Sequence, residues 1–117
     1  MIMYRVLLDG EVIASRVGVA ESFIRRMVGL LRHKKIDRGE GLLIRPCCQV
    51  HTFYMHFDID VLFLSKTGEI LYIEESLGPG MVSPFVKKCY QVLELKSGTV
   101  KEKGIMVGNR VAFDLAD

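Results

Sequence analysis

The run VLFLSKTGEILYI, Val61 to Ile73, decides the fold class. Four apolar residues (Val61, Leu62, Phe63, Leu64) lead into Ser65-Lys66-Thr67-Gly68, and a second apolar stretch follows in Glu69-Ile70-Leu71-Tyr72-Ile73. Two short runs rich in β-branched and aromatic residues, joined by polar and glycine turn signals, read as a β-hairpin. The pattern recurs on both sides of it. Tyr4 to Leu8 and Glu11 to Ser15 flank Asp9-Gly10, a two-residue turn suited to type I′ geometry because both central positions need positive φ. Leu42-Leu43-Ile44 is a short apolar run ended by Pro46, and Tyr90 to Leu95 reads as another strand. Gly108-Asn109 predicts a last hairpin turn between Ile105-Met106-Val107 and Val111-Ala112-Phe113. One segment has the other periodicity: Ser22 can cap a helix in which Phe23, Met27, Leu30 and Leu31 share a face. The expectation is a mainly β (α+β) domain, a compact barrel-like or two-sheet arrangement of about eight short strands with one covering helix.

A chain of 117 residues, 50% hydrophobic and 26% charged, suits a single globular domain over residues 1–117. No apolar run approaches the roughly 20 residues that cross a bilayer, and Arg5 and Asp9 interrupt the N-terminal stretch where a signal peptide would be apolar. A cytoplasmic location is therefore expected. Three cysteines, two of them adjacent (Cys47, Cys48 and Cys89), make a disulfide framework improbable and predict free thiols. Only Gln49, Gln91 and Asn109 carry side-chain amides, a depletion associated with hot environments, so unfolding is expected above the mesophile range of about 45–65 °C.

Several stretches in fixed order resemble domain-of-unknown-function family 192, a bacterial and archaeal family. They are Arg26-Met27-Val28-Gly29-Leu30-Leu31, Gly41-Leu42-Leu43-Ile44, His51-Thr52-Phe53-Tyr54-Met55 with Ile59-Asp60-Val61-Leu62-Phe63-Leu64, Pro79, Val92-Leu93-Glu94-Leu95 with Gly98, and Gly108. The resemblance spans Val19 to Val111. It departs at Leu31, where Met is frequent, at Tyr54, where Trp is common, and at Asn109, where an acid usually follows the glycine. It implies a mainly β domain and a set of candidate residues, without a reaction.

The chemistry concentrates in CCQVHTFYMHFDID, Cys47 to Asp60. If Cys47 to Met55 is extended, Cys47, Gln49, His51, Phe53 and Met55 face one way and Cys48, Val50, Thr52 and Tyr54 the other. The adjacent cysteines then diverge. Cys47, Cys48, His51 and His56 lack the second ligand pair that structural zinc sites use, and a thiol nucleophile at Cys47 or Cys48 with His51 as base has no third, orienting group. Neither a metal nor any other cofactor is expected. Asp60 and Glu94 stand out as acids inside apolar strands, and a buried carboxylate must be hydrogen-bonded, paired or protonated. Two accounts stay open. In the structural one, Asp60 accepts backbone N–H bonds from a turn and Glu94 pairs with an arginine. In the functional one, His51, Asp60 and Glu94 line a cleft beneath a loop at Pro79, which acts as a flap over a small polar ligand. A small hydrolase or isomerase using Asp60 or Glu94 with His51 is the enzymatic version of that site.

The net charge of +2 is localised. Arg25, Arg26, Arg32, Lys34, Lys35 and Arg38 face the single acid Asp37, giving residues 25–38 an excess of +5 while the rest of the chain carries −3. That segment is the candidate anion-binding surface, and through it the chain has a further alternative reading as an anion or nucleic-acid-binding accessory protein, with weak, non-specific polyanion binding expected because no stacking aromatic accompanies it. Gly78-Pro79-Gly80 lacks the Lys-Ser/Thr of a phosphate-binding loop.

Overall fold

Asp9 and Gly10 both adopt positive φ, 51° and 80°, as a type I′ turn requires, and the strands they join pair antiparallel from Leu8 and Glu11 outward. Those strands are β1 (Met3–Leu8) and β2 (Glu11–Ala20) of a computed structural model that describes residues 2–20, 35–53 and 55–116. The chain continues through β3 (Glu40–Ile44), β4 (Ile59–Leu64), β5 (Ile70–Leu77), β6 (Gln91–Lys96), a short helix α1 (Thr99–Lys103) and β7 (Val111–Leu115). The seven described strands form one sheet in the order β5-β4-β6-β3-β2-β1-β7, and among them only β2 and β3 run parallel. The sheet curls into a half-barrel. Its two outer strands meet at one corner, where Glu69 bridges Arg110, Ile70 N donates to Asn109 O at 2.8 Å and Val111 N donates to Gly68 O at 2.9 Å.

The inner face collects apolar side chains from every strand, among them Val6, Val17, Leu43, Leu62, Ile70, Leu93 and Val111. A second apolar cluster lies on the outer face of β3, β4 and β6, where Leu42, Ile44, Val61, Phe63 and Val92 are covered by Cys47, Val50 and Met55 from the loop between β3 and β4 and by Cys89. Strand β4 is therefore buried on both faces, all six residues of it. Its unbroken apolar spelling follows, because a strand covered on both sides has no solvent face to alternate with.

The mainly β architecture matches the sequence expectation, with three local corrections. The predicted 22–32 helix falls on residues 21–34, outside the described residues, and the helix that is described, α1, was not foreseen. Ile105-Met106-Val107 is not a strand. Ile105 N donates to Val100 O at the end of α1, while Gly108 N donates to Ile70 O, so the groups that would pair with β7 are committed elsewhere. Cys47 to Met55 alternates only in its middle: Val50 and Thr52 are buried while Gln49 and Phe53 are exposed and His51 is half-buried, but Cys47 and Met55, expected on the face of Gln49, are buried as well, because the segment has no ladder beyond one bridge from His51 to Val82.

Candidate functional site

Asp60 lies near the start of β4, fully buried. Its Oδ1 accepts from Ser76 N at 2.8 Å, and its Oδ2 accepts from Gly98 N at 3.1 Å and Val100 N at 2.9 Å. The strand pairing shows why a carboxylate is used. Ile59 faces Leu77 but Val61 faces Glu74, so β5 carries an extra residue opposite Asp60, with Ser76 at φ 50°. That bulge turns an amide out of the ladder toward Asp60. The other two donors begin α1, whose N-cap is Gly98 and supplies no side-chain acceptor of its own. Asp60 thus caps the helix from across the sheet, where a negative charge also complements the helix dipole.

Glu94 is equally buried but points the other way. It pairs with Leu42 on one side and Val61 on the other, on the outer face, whereas Asp60 pairs with Leu95, whose side chain belongs to the inner cluster. Directly opposed residues share a face, so the sheet itself separates the two carboxylates. The cleft expected to unite His51, Asp60 and Glu94 is not formed as such: His51 belongs to the loops on Glu94's side.

Those loops are fastened to each other. Thr52, fully buried, donates through Oγ1 to Gly78 O at 2.6 Å and accepts from Met81 N at 2.8 Å, while its backbone exchanges bonds with Met81 O (2.8 Å) and Gly80 N (3.0 Å). Ser83 adds an Oγ that accepts from Val50 N at 3.0 Å and a carbonyl that accepts from the Gln49 amide at 2.8 Å. Pro79 is exposed at the tip of a loop pinned on both sides, which replaces the expected flap with a clasp. Sequence reading missed Thr52 and Ser83, since a single hydroxyl in a polar loop gives no signal until its partner, some thirty positions away, is known.

Beside the clasp, the His51 ring stacks on Phe53 with centroids 4.8 Å apart, and its Nδ1 is buried without a hydrogen-bond partner among the described residues. Phe53 on the same loop, and Met81, Val82 and Phe85 on the loop fastened to it, are exposed. The thiols engage backbone carbonyls: Cys47 that of Gln49, Cys48 that of Cys89, and Cys89 those of Cys47 and Gln91, all at 3.1–3.3 Å. Burial, reinforced by the nearby Cys48 thiol, pushes Cys89 from the usual 9 up to about 11. His56 is exposed, and among the described residues no three His, Cys, Asp or Glu side chains converge as metal ligands.

Of the basic segment, Arg25, Arg26, Arg32 and Lys34 lie outside the described residues. Lys35 pairs with Asp37 at 3.3 Å and Arg38 with Glu102. Asn109, where the resemblance leads one to expect an acid, accepts from Met106 N through Oδ1 at 2.8 Å, a bond for which an amide oxygen serves as well as a carboxylate. No helix among the described residues is long and apolar enough to cross a membrane.

Two solved structures share the fold. One, from Sinorhizobium meliloti 1021 and described as a proposed transcription regulator, aligns with a TM-score of 0.78 at 24% identity over 96% of this chain and 92% of its own. The other, a protein of unknown function from Novosphingobium aromaticivorans DSM 12444, aligns with a TM-score of 0.80 at 18% identity over 94% of this chain and 83% of its own. Among curated proteins, none matches the chain. A family pattern does match, over residues 5–113, and it is that of domain-of-unknown-function family 192, described as "Uncharacterized ACR": the chain belongs to this family.

Proposed function

We propose that this domain binds a small polar ligand against His51, on the loop-covered face of the sheet, with Glu94 on that face and Asp60 as framework. The carrying observation is the His51 Nδ1, buried and without a partner among the described residues, beside a clasp whose Thr52 and Ser83 hydroxyls are both bonded. A buried nitrogen left unbonded costs roughly 1–3 kcal/mol, a deficit that a ligand hydroxyl, amide or carboxylate removes on binding. Exposed Phe53 and Met81 flank the same spot and offer apolar contact to the remainder of the ligand. An acid/base reading draws no support from Asp60, whose two oxygens already accept three backbone bonds.

Native mass spectrometry of the freshly purified chain tests the reading. A small-molecule mass retained by the wild type and lost in His51→Leu is the expected result. If the wild type carries no such mass and His51→Leu unfolds at a higher temperature, the nitrogen is merely a packing defect and the site is withdrawn.

A further inference from the structure

At the opposite end of β4 from the clasp, the curl of the sheet leaves a groove of about 390 Å³ between the 65–68 turn, the start of β6 and β7. Its walls carry Arg45, Lys66 and Arg110 and no Asp or Glu. None of these three cations has a carboxylate within 4 Å among the described residues, where the ion pairs are those of Arg5, Lys35 and Arg38. Glu69 bridges Arg110 through the backbone but does not line the groove. Like charges gathered in one concavity repel one another, and field lines focused by the surrounding apolar walls raise the local concentration of anions.

The cations are also positioned. Arg110 spends one N–H on Thr67 O at 3.0 Å, which fixes the guanidinium while its other donors have no hydrogen bond among the described residues. The Lys66 ammonium sits 5.2 Å from the Tyr90 ring centroid, and Arg45 extends from the end of β3, where its backbone N is held by Ala20 O at 3.1 Å. Tyr90, Ala112 and Phe113 give the groove an apolar wall beside this charged rim. The volume lies within the range of about 300–1,000 Å³ typical of small-molecule sites.

We propose that this groove is a second binding site, for a small phosphate monoester with a ring-bearing body: the phosphoryl group between Arg45, Lys66 and Arg110, and the body against Tyr90 and Phe113. Guanidinium and ammonium together favour phosphate because its oxygens take both bidentate and point-charge donors. This site does not depend on the His51 reading.

Nuclear magnetic resonance titrations of the full chain with adenosine 5′-monophosphate, adenosine, inorganic phosphate and a short single-stranded oligonucleotide test the proposal. The monophosphate is expected to shift amide signals in 65–68, 90–91 and 110–113 saturably and to bind more tightly than adenosine or phosphate alone. Lys66→Gln, a change at an exposed side chain whose ammonium approaches the Tyr90 ring, should weaken it about tenfold or more, and Lys66→Gln with Arg110→Gln further still. His51→Leu should leave it unchanged. Adenosine binding as tightly as its monophosphate, or Lys66→Gln without effect, would overturn the proposal. So would oligonucleotide binding through these residues that strengthens with length, because the groove would then be part of a polyanion surface.

Discussion

Asp60 shows what one side chain can hold together. Its carboxylate joins the β5 bulge, the β6–α1 turn and the first turn of α1, so Asp60→Asn, which keeps the shape but turns one acceptor into a donor facing an N–H, should destabilise by on the order of 3 kcal/mol in chemical denaturation. An unchanged midpoint would remove its framework role. That Asp60 must be satisfied was legible from an acid inside an apolar strand; that its donors would be Ser76, Gly98 and Val100 was not, because nothing in the linear order says that those amides lose their ladder partners. Cys89 makes a pH statement. Its proton is held more tightly in the folded chain, so its contribution to stability is complete below about pH 9 and lost as pH rises toward 11. The slope of stability against pH over that window should flatten in Cys89→Ser. At pH 8, alkylation should reach the partly exposed Cys48 before Cys89.

At the scale of elements, the hairpin read from Val61 to Ile73 is present as β4 and β5, and its turn does more than reverse the chain. Gly68 sits at φ 89°, and a Cβ there would lie 2.4 Å from Val111 O, the carbonyl of the strand that meets this turn at the closing corner. Gly68→Ala should therefore cost roughly 2–3 kcal/mol or more, from backbone strain and a parted corner together. Gly10→Ala, with positive φ but nothing within 4 Å, should cost about 1–2 kcal/mol. The loops were the illegible part. Period-2 alternation was projected onto Cys47 to Met55, but alternation describes a ladder, and here the bonds run from side-chain hydroxyls to a distant loop. Thr52→Val keeps the volume and deletes those bonds. It should raise hydrogen exchange at Gly80, Met81 and Ser83 while leaving β4 and β6 protected; unchanged exchange would mean that packing alone holds the loops.

For the whole molecule, charge and heat give two measurable expectations. Polyanion binding should be weak and fall steeply with salt, and Arg32→Ala with Lys34→Ala and Lys35→Ala should weaken it further; preference for one sequence at physiological salt would contradict a non-specific contact. The scarcity of side-chain amides predicts an unfolding midpoint above about 65 °C, which calorimetry can check. The β class was legible because apolar runs are local. The groove of Arg45, Lys66 and Arg110 was not, since its cations are scattered along the chain and meet only when the sheet curls.

The strand order has a consequence for how the protein is made. β6, one of the last strands in sequence, lies between β3 and β4 and pairs with both, so it joins the β1–β3 side to the β4–β5 hairpin, and the closing corner at β7 follows later still in the chain. During synthesis the two halves therefore emerge with facing edges unpaired, and neither can dock until residues 91–96 have left the ribosome. Nascent chains stalled before Gln91 should be protease-sensitive at Leu42 to Ile44 and Val61 to Leu64, with protection arriving in one step once Lys96 is clear of the exit tunnel.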